Sequence, residues 1–214
     1  MLITCGMMLI VSATTATGAF LDGCPVSPAD SGVLCLEYSR QDDINIDVVG
    51  NASMSSTGTG MAKGNSYQVD IDVVLLEAEF WLSFTSTQTL TYYVYVCPQE
   101  FGTYTEVHRH SETVTGSGAA WYSSGSLFVP MEAGYHYIIL ISWNGNTTYY
   151  YGSGDSQPTS FGYHTHGYAP GYDPMPESFQ SLSNDQAIYY QRLTTSQGTP
   201  LSRHTWGAVK NLFD

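Results

Sequence analysis

Positive charge is what this sequence has least of. Six Lys and Arg residues stand against 19 Asp and Glu, a net charge of −13, and none of the six precedes Arg40. A chain of that balance repels phosphate backbones and anionic lipid surfaces, which argues against nucleic acid as a partner. Charge of either sign is sparse, at 12% of residues. The surface must therefore be built from Ser, Thr, Asn, Gln, Gly and Tyr, a profile common in extracellular β proteins. Helical periodicity is missing as well: beyond the N-terminus no segment sustains it over three turns. There is no Gly-x-Ser-x-Gly elbow, His-Glu-x-x-His helix, phosphate loop or dinucleotide fingerprint. This removes the common enzyme classes without removing enzymes altogether.

Long apolar runs are also lacking. The longest, Leu2 to Val11, is followed by small and polar residues to Ala19. It has the length of a secretory h-region and is too short to span a bilayer, although the usual basic n-region is absent. Residues 1–19 are thus expected to be a signal or an N-terminal apolar segment, which could instead insert as a strand into a neighbouring subunit. Of the four cysteines, Cys24 and Cys35 flank a Pro-rich loop short enough to be closed by a disulfide in an oxidising compartment. Cys97 is left unpaired, as a small buried hydrophobe.

What the chain does have is tyrosine, 17 of 214 residues, with abundant Thr, Ser, Gly and Val. These are residues of sheets and turns. Tyr135 to Trp143 organises the rest: Tyr135, Tyr137, Ile139, Ile141 and Trp143 point one way, and Ile138 and Leu140 the other. Both faces are apolar, so the strand is expected at the centre of a two-layered structure. Asn144-Gly145-Asn146 predicts a turn, with a hairpin into Thr147 to Tyr151. Extended runs recur along residues 33–193: Val33 to Tyr38, Ile44 to Val49, Tyr67 to Leu76, Ala78 to Phe84, Leu90 to Cys97, Thr103 to His110, Thr113 to Thr115, Trp121 to Val129, Phe161 to Tyr168 and Gln186 to Leu193. Asn51 to Gly64 and the Pro- and Gly-rich stretch from Tyr168 to Phe179 are expected to be loops. The fold class is all-β, an antiparallel, jelly-roll-like β-sandwich of about ten strands over residues 20–193, with a tail over 194–214.

Gly102-Thr103-Tyr104-Thr105, Trp121-Tyr122-Ser123-Ser124-Gly125, Met131-Glu132-Ala133-Gly134 and Trp143-Asn144-Gly145 resemble the strand patterns of pre-peptidase C-terminal domains. Those are jelly-roll accessory modules of secreted bacterial proteins, and the similar portion runs from about Lys63 to Leu193. The resemblance implies secretion and an accessory, non-catalytic role. It brings no site residues with it.

Several constellations could carry chemistry. His108 with His110, and His164 with His166, each place two imidazoles on one side of a strand; two such strands together would offer four ligands to a transition metal. The plain alternative is that they are exposed polar positions. Carboxylates gather at Asp42, Asp43 and Asp47 and at Asp70, Asp72, Glu77 and Glu79, where calcium is possible but a solvated acidic edge serves as well. Glu77 and Glu79 share a strand face, as a glycosidase pair would, with nothing nearby to raise a carboxyl pKa. Trp143, Tyr149, Tyr150, Tyr163 and Tyr168 lie in or beside turns, where exposed rings could stack on sugars. Tyr149 and Tyr151 are equally readable as core. Asn51 and Asn146 open glycosylation sequons.

The resulting expectation is a non-catalytic extracellular or cell-surface structural or adhesive protein. Its partner is itself or another surface protein, through its terminal segments, with no membrane span and no obligatory cofactor. A carbohydrate-binding module using the tyrosine-rich end is the alternative, and a metal-dependent enzyme at the paired histidines is the third reading.

Overall fold

The computed structural model describes residues 43–170, 174–181 and 186–197. The signal or apolar segment, the strand at 33–38, the Cys24–Cys35 pair, Asp42 and the tail beyond 197 lie outside these residues. The described chain forms thirteen strands and no helix: β1 (Ile44–Val49), β2 (Met54–Val69), β3 (Val73–Phe84), β4 (Thr87–Cys97), β5 (Thr103–Thr115), β6 (Gly118–Ser123), β7 (Val129–Met131), β8 (His136–Ser153), β9 (Gln157–Thr159), β10 (Gly162–Tyr168), β11 (Ser178–Gln180), β12 (Ala187–Tyr189) and β13 (Gln191–Ser196). Among the described residues no helix is long and apolar enough to cross a membrane.

All pairings are antiparallel. The main path is β1-β13-β3-β8-β2-β10-β9, with β4, β5 and β11 branching from β8, β6 and β7 lying on β3, and β12 on β8. The sheet curls on itself until its ends approach, and side chains close the gap. Asp47 of β1 accepts hydrogen bonds from Ser160 N and Oγ, both 2.7 Å, and Gly50 N donates to Gln157 Oε1 at 2.9 Å. The result is an antiparallel, sandwich-like and nearly closed all-β architecture.

β8 is the hub because both of its faces are apolar. Tyr137, Ile139, Ile141 and Trp143 enter the main core between the layers, with Tyr67, Phe80, Leu82 and Leu90. Ile138 and Leu140 enter a second core with Tyr93, Tyr95 and Tyr104. Alternation alone places these residues, since successive strand side chains leave on opposite faces.

Local turn signals mislead in two places. Asn144-Gly145-Asn146 makes no hairpin: β8 runs on to Ser153, because β2 stays paired beside it from Met54 to Gln68. Asn144 Oδ1 takes the Thr89 amide at 2.9 Å instead of turning the chain. The expected loop from Asn51 to Gly64 is, from Met54 onward, the first 11 of the 16 residues of β2. Its small residues suit close strand contact. A Cβ on Gly64 would stand 2.2 Å from Ile139 O.

Other boundaries move as well. Tyr67 to Leu76 is broken at Asp70–Asp72 between β2 and β3, and Asp72 Oδ1 accepts the Ala133 amide at 2.7 Å. The two short strands expected at 103–115 are one, β5, and Trp121 to Val129 splits into β6 and β7. The stretch from Tyr168 to Phe179 is more than a surface loop. Tyr168, Met175 and Phe179 are buried in the second core, and β11 pairs with β5. Cys97 is a free thiol buried in that same core.

Candidate functional site

The outward face of β1, β13, β3 and β6 follows from period two. On β3, Phe80, Leu82 and Phe84 are core, so Glu77, Glu79 and Trp81 must point away from it. The register carries that face across the sheet: Val48 opposes Arg192, Arg192 opposes Glu79, and Glu79 opposes Ser123. Ile46 opposes Thr194, which opposes Glu77, and Trp81 opposes Trp121. One continuous surface results, with β-branched residues at one side and aromatic rings at the other.

At the β1 side Ile44, Ile46 and Val48 are 63%, 64% and 53% exposed. At the opposite side Trp81 and Trp121 meet edge to face with centroids 5.3 Å apart, and Tyr190 lies 4.7 Å from Trp121 and 6.1 Å from Trp81. All three rings are partly exposed. Tyr150, the outward member of its tyrosine run, adjoins them: its carbonyl accepts the Tyr190 amide at 2.9 Å, and Tyr190 O accepts from Trp81 N at 3.1 Å.

Between the two sides every charge has a partner. The Arg192 guanidinium forks onto both carboxylate oxygens of Glu79 and lies 4.8 Å over the Trp121 ring. The hydrogen bonds to Glu79 hold the guanidinium above its usual pKa. Ser123 Oγ donates to Glu77. Glu77 and Glu79 do share a face, but both are engaged in these contacts.

The other singled-out aromatics scatter. Trp143 is 1% exposed, with Nε1 donating to Gly58 O at 3.0 Å, and Tyr168 is 7% exposed in the second core. Neither can offer a face to a sugar, because each sits on a strand position that the alternation turns inward. Tyr149 packs against the main core beneath Lys63, whose Nζ is 5.3 Å from the ring. Tyr163, partly exposed, donates its hydroxyl to Gln68. Only Tyr150 of the five joins the aromatic face. Trp81, Trp121, Tyr190 and Arg192 were not singled out from the sequence, yet Phe80-Trp81-Leu82-Ser83-Phe84 carries the signal: a tryptophan out of phase with three apolar neighbours.

The paired histidines do not converge. His108 and His110 oppose Val94 and Tyr92 and share a face of β5, as period two requires. His164 and His166 do not share one. A bulge at Thr165 sets His164 opposite Tyr67 but His166 opposite Ser66, so the rings leave on opposite faces. β5 and β10 are moreover separated by β4, β8 and β2. Among the described residues no group of three or more His, Cys, Asp or Glu is disposed to hold a metal ion. The clustered carboxylates are spread over separate contacts: Asp47 on Ser160, Asp72 on Ala133 N, Asp70 on Gln68.

His164 is 1% exposed and neither ring nitrogen has a hydrogen-bond partner. Burial, with His166 nearby, pushes its pKa down to about 4. His166 Nδ1 stands 3.3 Å from Glu100, and Phe101 stacks on its ring at 5.5 Å. Burial lowers its pKa against the pull of Glu100. Both histidines border a cleft of about 440 Å³ below the Ser153–Ser156 turn. Asn51 and Asn146 are exposed, as sequons require; Asn51 Oδ1 accepts the Ser53 amide at 2.9 Å.

No protein-family model matches this chain, and no curated protein matches it in sequence.

Proposed function

We propose that the chain is a non-catalytic, extracellular structural or adhesive surface module that associates with copies of itself through the outward face of β1. The observation that carries this is the row Ile44, Ile46 and Val48, three β-branched side chains each more than half exposed on a strand at the end of the sheet path. An isolated exposed apolar residue needs no explanation, whereas a contiguous row marks a contact surface. Fully burying an exposed side chain of this kind contributes about 1.5–3 kcal/mol, of which these residues, 53–64% exposed, have somewhat more than half still to gain, so a two-fold contact that covers six of them is a substantial share of a stable association. The scarcity of charge and the Ser-, Thr- and Tyr-rich surface support an extracellular setting. So does the resemblance to accessory modules of secreted proteins.

The test is the mass of the full chain in solution against concentration. The wild type is expected to form dimers or larger species at micromolar concentration. Ile46→Lys, which puts a charge at the centre of the row, is expected to weaken association by about tenfold or more, the equivalent of one lost apolar contact. A wild type that stays monomeric at every concentration overturns the proposal.

A further inference from the structure

We infer that the aromatic side of the same surface is a carbohydrate-binding site for neutral, soluble oligosaccharides, formed by Trp81, Trp121 and Tyr190 with Arg192 and Glu79. The inference is independent of self-association through β1.

The rings are not there to fill the core. Phe80, Leu82 and Tyr122, their neighbours along the strands, already do so from the other face. Two indoles and a phenol placed together on the wet side of a sheet are large apolar faces with polar tips, the surface that suits the C–H faces and flanking hydroxyls of a sugar ring. Charge narrows the ligand further. The cation of this cluster, Arg192, is neutralised by the fork onto Glu79, and its neighbour Glu77 is itself an anion. Among the described residues of this cluster a sulfated or uronic-acid glycan would meet no uncommitted positive charge and would face Glu77, so the ligand is neutral. The guanidinium has five N–H donors and the fork uses two, leaving donors for sugar hydroxyls at the rim. Geometry narrows it again. The three ring planes are inclined to one another by 51°, 59° and 71°. Rings so tilted cannot lie flat on a crystalline polysaccharide or on one planar aromatic. They fit a flexible chain whose successive sugar rings are turned relative to each other.

The experiment is titration of the full chain, followed by tryptophan fluorescence and calorimetry, with cellohexaose, mannohexaose and maltohexaose as neutral probes and hexagalacturonate as the anionic one. At least one neutral hexasaccharide is expected to bind and to perturb the tryptophan emission. Trp121→Ala and Trp81→Ala are expected to weaken it by about tenfold or more, as loss of a stacked ring does. Trp121→Phe keeps a ring and is expected to retain most of the affinity, which separates a lost contact from a lost fold. Ile46→Lys is expected to bind as the wild type does, so failure of the self-association proposal and failure of this one read out separately. Absence of binding by all three neutral probes, affinity unchanged in both alanine variants, or hexagalacturonate binding as tightly as the best neutral probe would each overturn the inference. So would a Trp121→Ala chain whose change is in self-association alone.

Discussion

His164 and Asn65 show how differently two buried polar side chains are treated in this fold. Asn65, fully buried, donates to Tyr189 O at 2.9 Å and to Gln191 Oε1 at 3.0 Å, and accepts the Tyr189 amide at 3.0 Å. It ties β2 to the segment entering β13, and Tyr67 adds its hydroxyl on Gln191 Oε1 at 2.7 Å. His164 sits against Tyr67 with ring centroids 6.0 Å apart and no partner for either nitrogen. Its folded pKa, about 4, lies below the ordinary value of 6.5. Below pH 6.5 the unfolded chain takes up a proton that the folded chain refuses, so the stability this residue supports is complete above that pH and is lost as pH falls toward 4. The shift corresponds to roughly 3 kcal/mol. Denaturant unfolding of wild type and His164→Gln between pH 7 and pH 4 measures it. The variant is expected to lose less stability over that window, and equal slopes would show that His164 does not set the acid limit.

Close approach of two long strands is what makes the β2–β8 pair the spine of the sheet. At Gly64 a Cβ would stand 2.2 Å from Ile139 O and 2.5 Å from Leu140 Cα, both backbone atoms that cannot retreat without parting the ladder. Gly64→Ala is therefore expected to cost about 2–3 kcal/mol, in the range of an overpacked core. Gly58→Ala is the contrast: its added methyl would meet only the end of the Met61 side chain, a flexible group that can swing aside. Chemical denaturation of the two variants should separate them clearly, and equal midpoints would mean that the spine tolerates separation. The same pair explains what was legible in the sequence. Residues 136–143 announce a doubly buried strand because the alternation is written within eight consecutive positions, whereas Tyr135, expected to point inward with them, precedes β8 and is 38% exposed. The passage of β8 through Asn144-Gly145-Asn146, and the pairing of the small residues before Gly64, depend on a partner some eighty residues away. No local propensity records such a partner, and tertiary pairing overrides the turn signal. The site divides likewise. Tyr150 was legible as an outward ring, but Tyr190, which its carbonyl holds, lies between β12 and β13, and Trp81 and Trp121 come from distant strands that the register alone brings together. The Thr165 bulge is the converse case, since one extra residue cancels the period on which the histidine pair depended.

Whole-molecule charge decides how the two ends of the outward surface behave in solution. A net charge of −13 on each copy opposes every approach of one chain to another, whatever lies at the contact. The β1 row carries no charge among Ile44, Ile46 and Val48, so it supplies attraction that salt does not screen, whereas the long-range repulsion is screened. The Debye length falls from about 30 Å at 0.01 M to about 8 Å at 0.15 M ionic strength. Self-association is therefore expected to strengthen severalfold over that range, and oligosaccharide binding to a charge-neutral ligand to stay nearly constant. Sedimentation equilibrium in the two salt conditions, with a hexasaccharide titration in parallel, distinguishes this from an ionic contact. If copies met through opposed ion pairs, such as Arg192 of one against Glu77 of another, added salt would loosen the assembly. An association that weakens with salt would thus remove the β1 row as its cause and leave the paired charges at the centre of the surface as the contact.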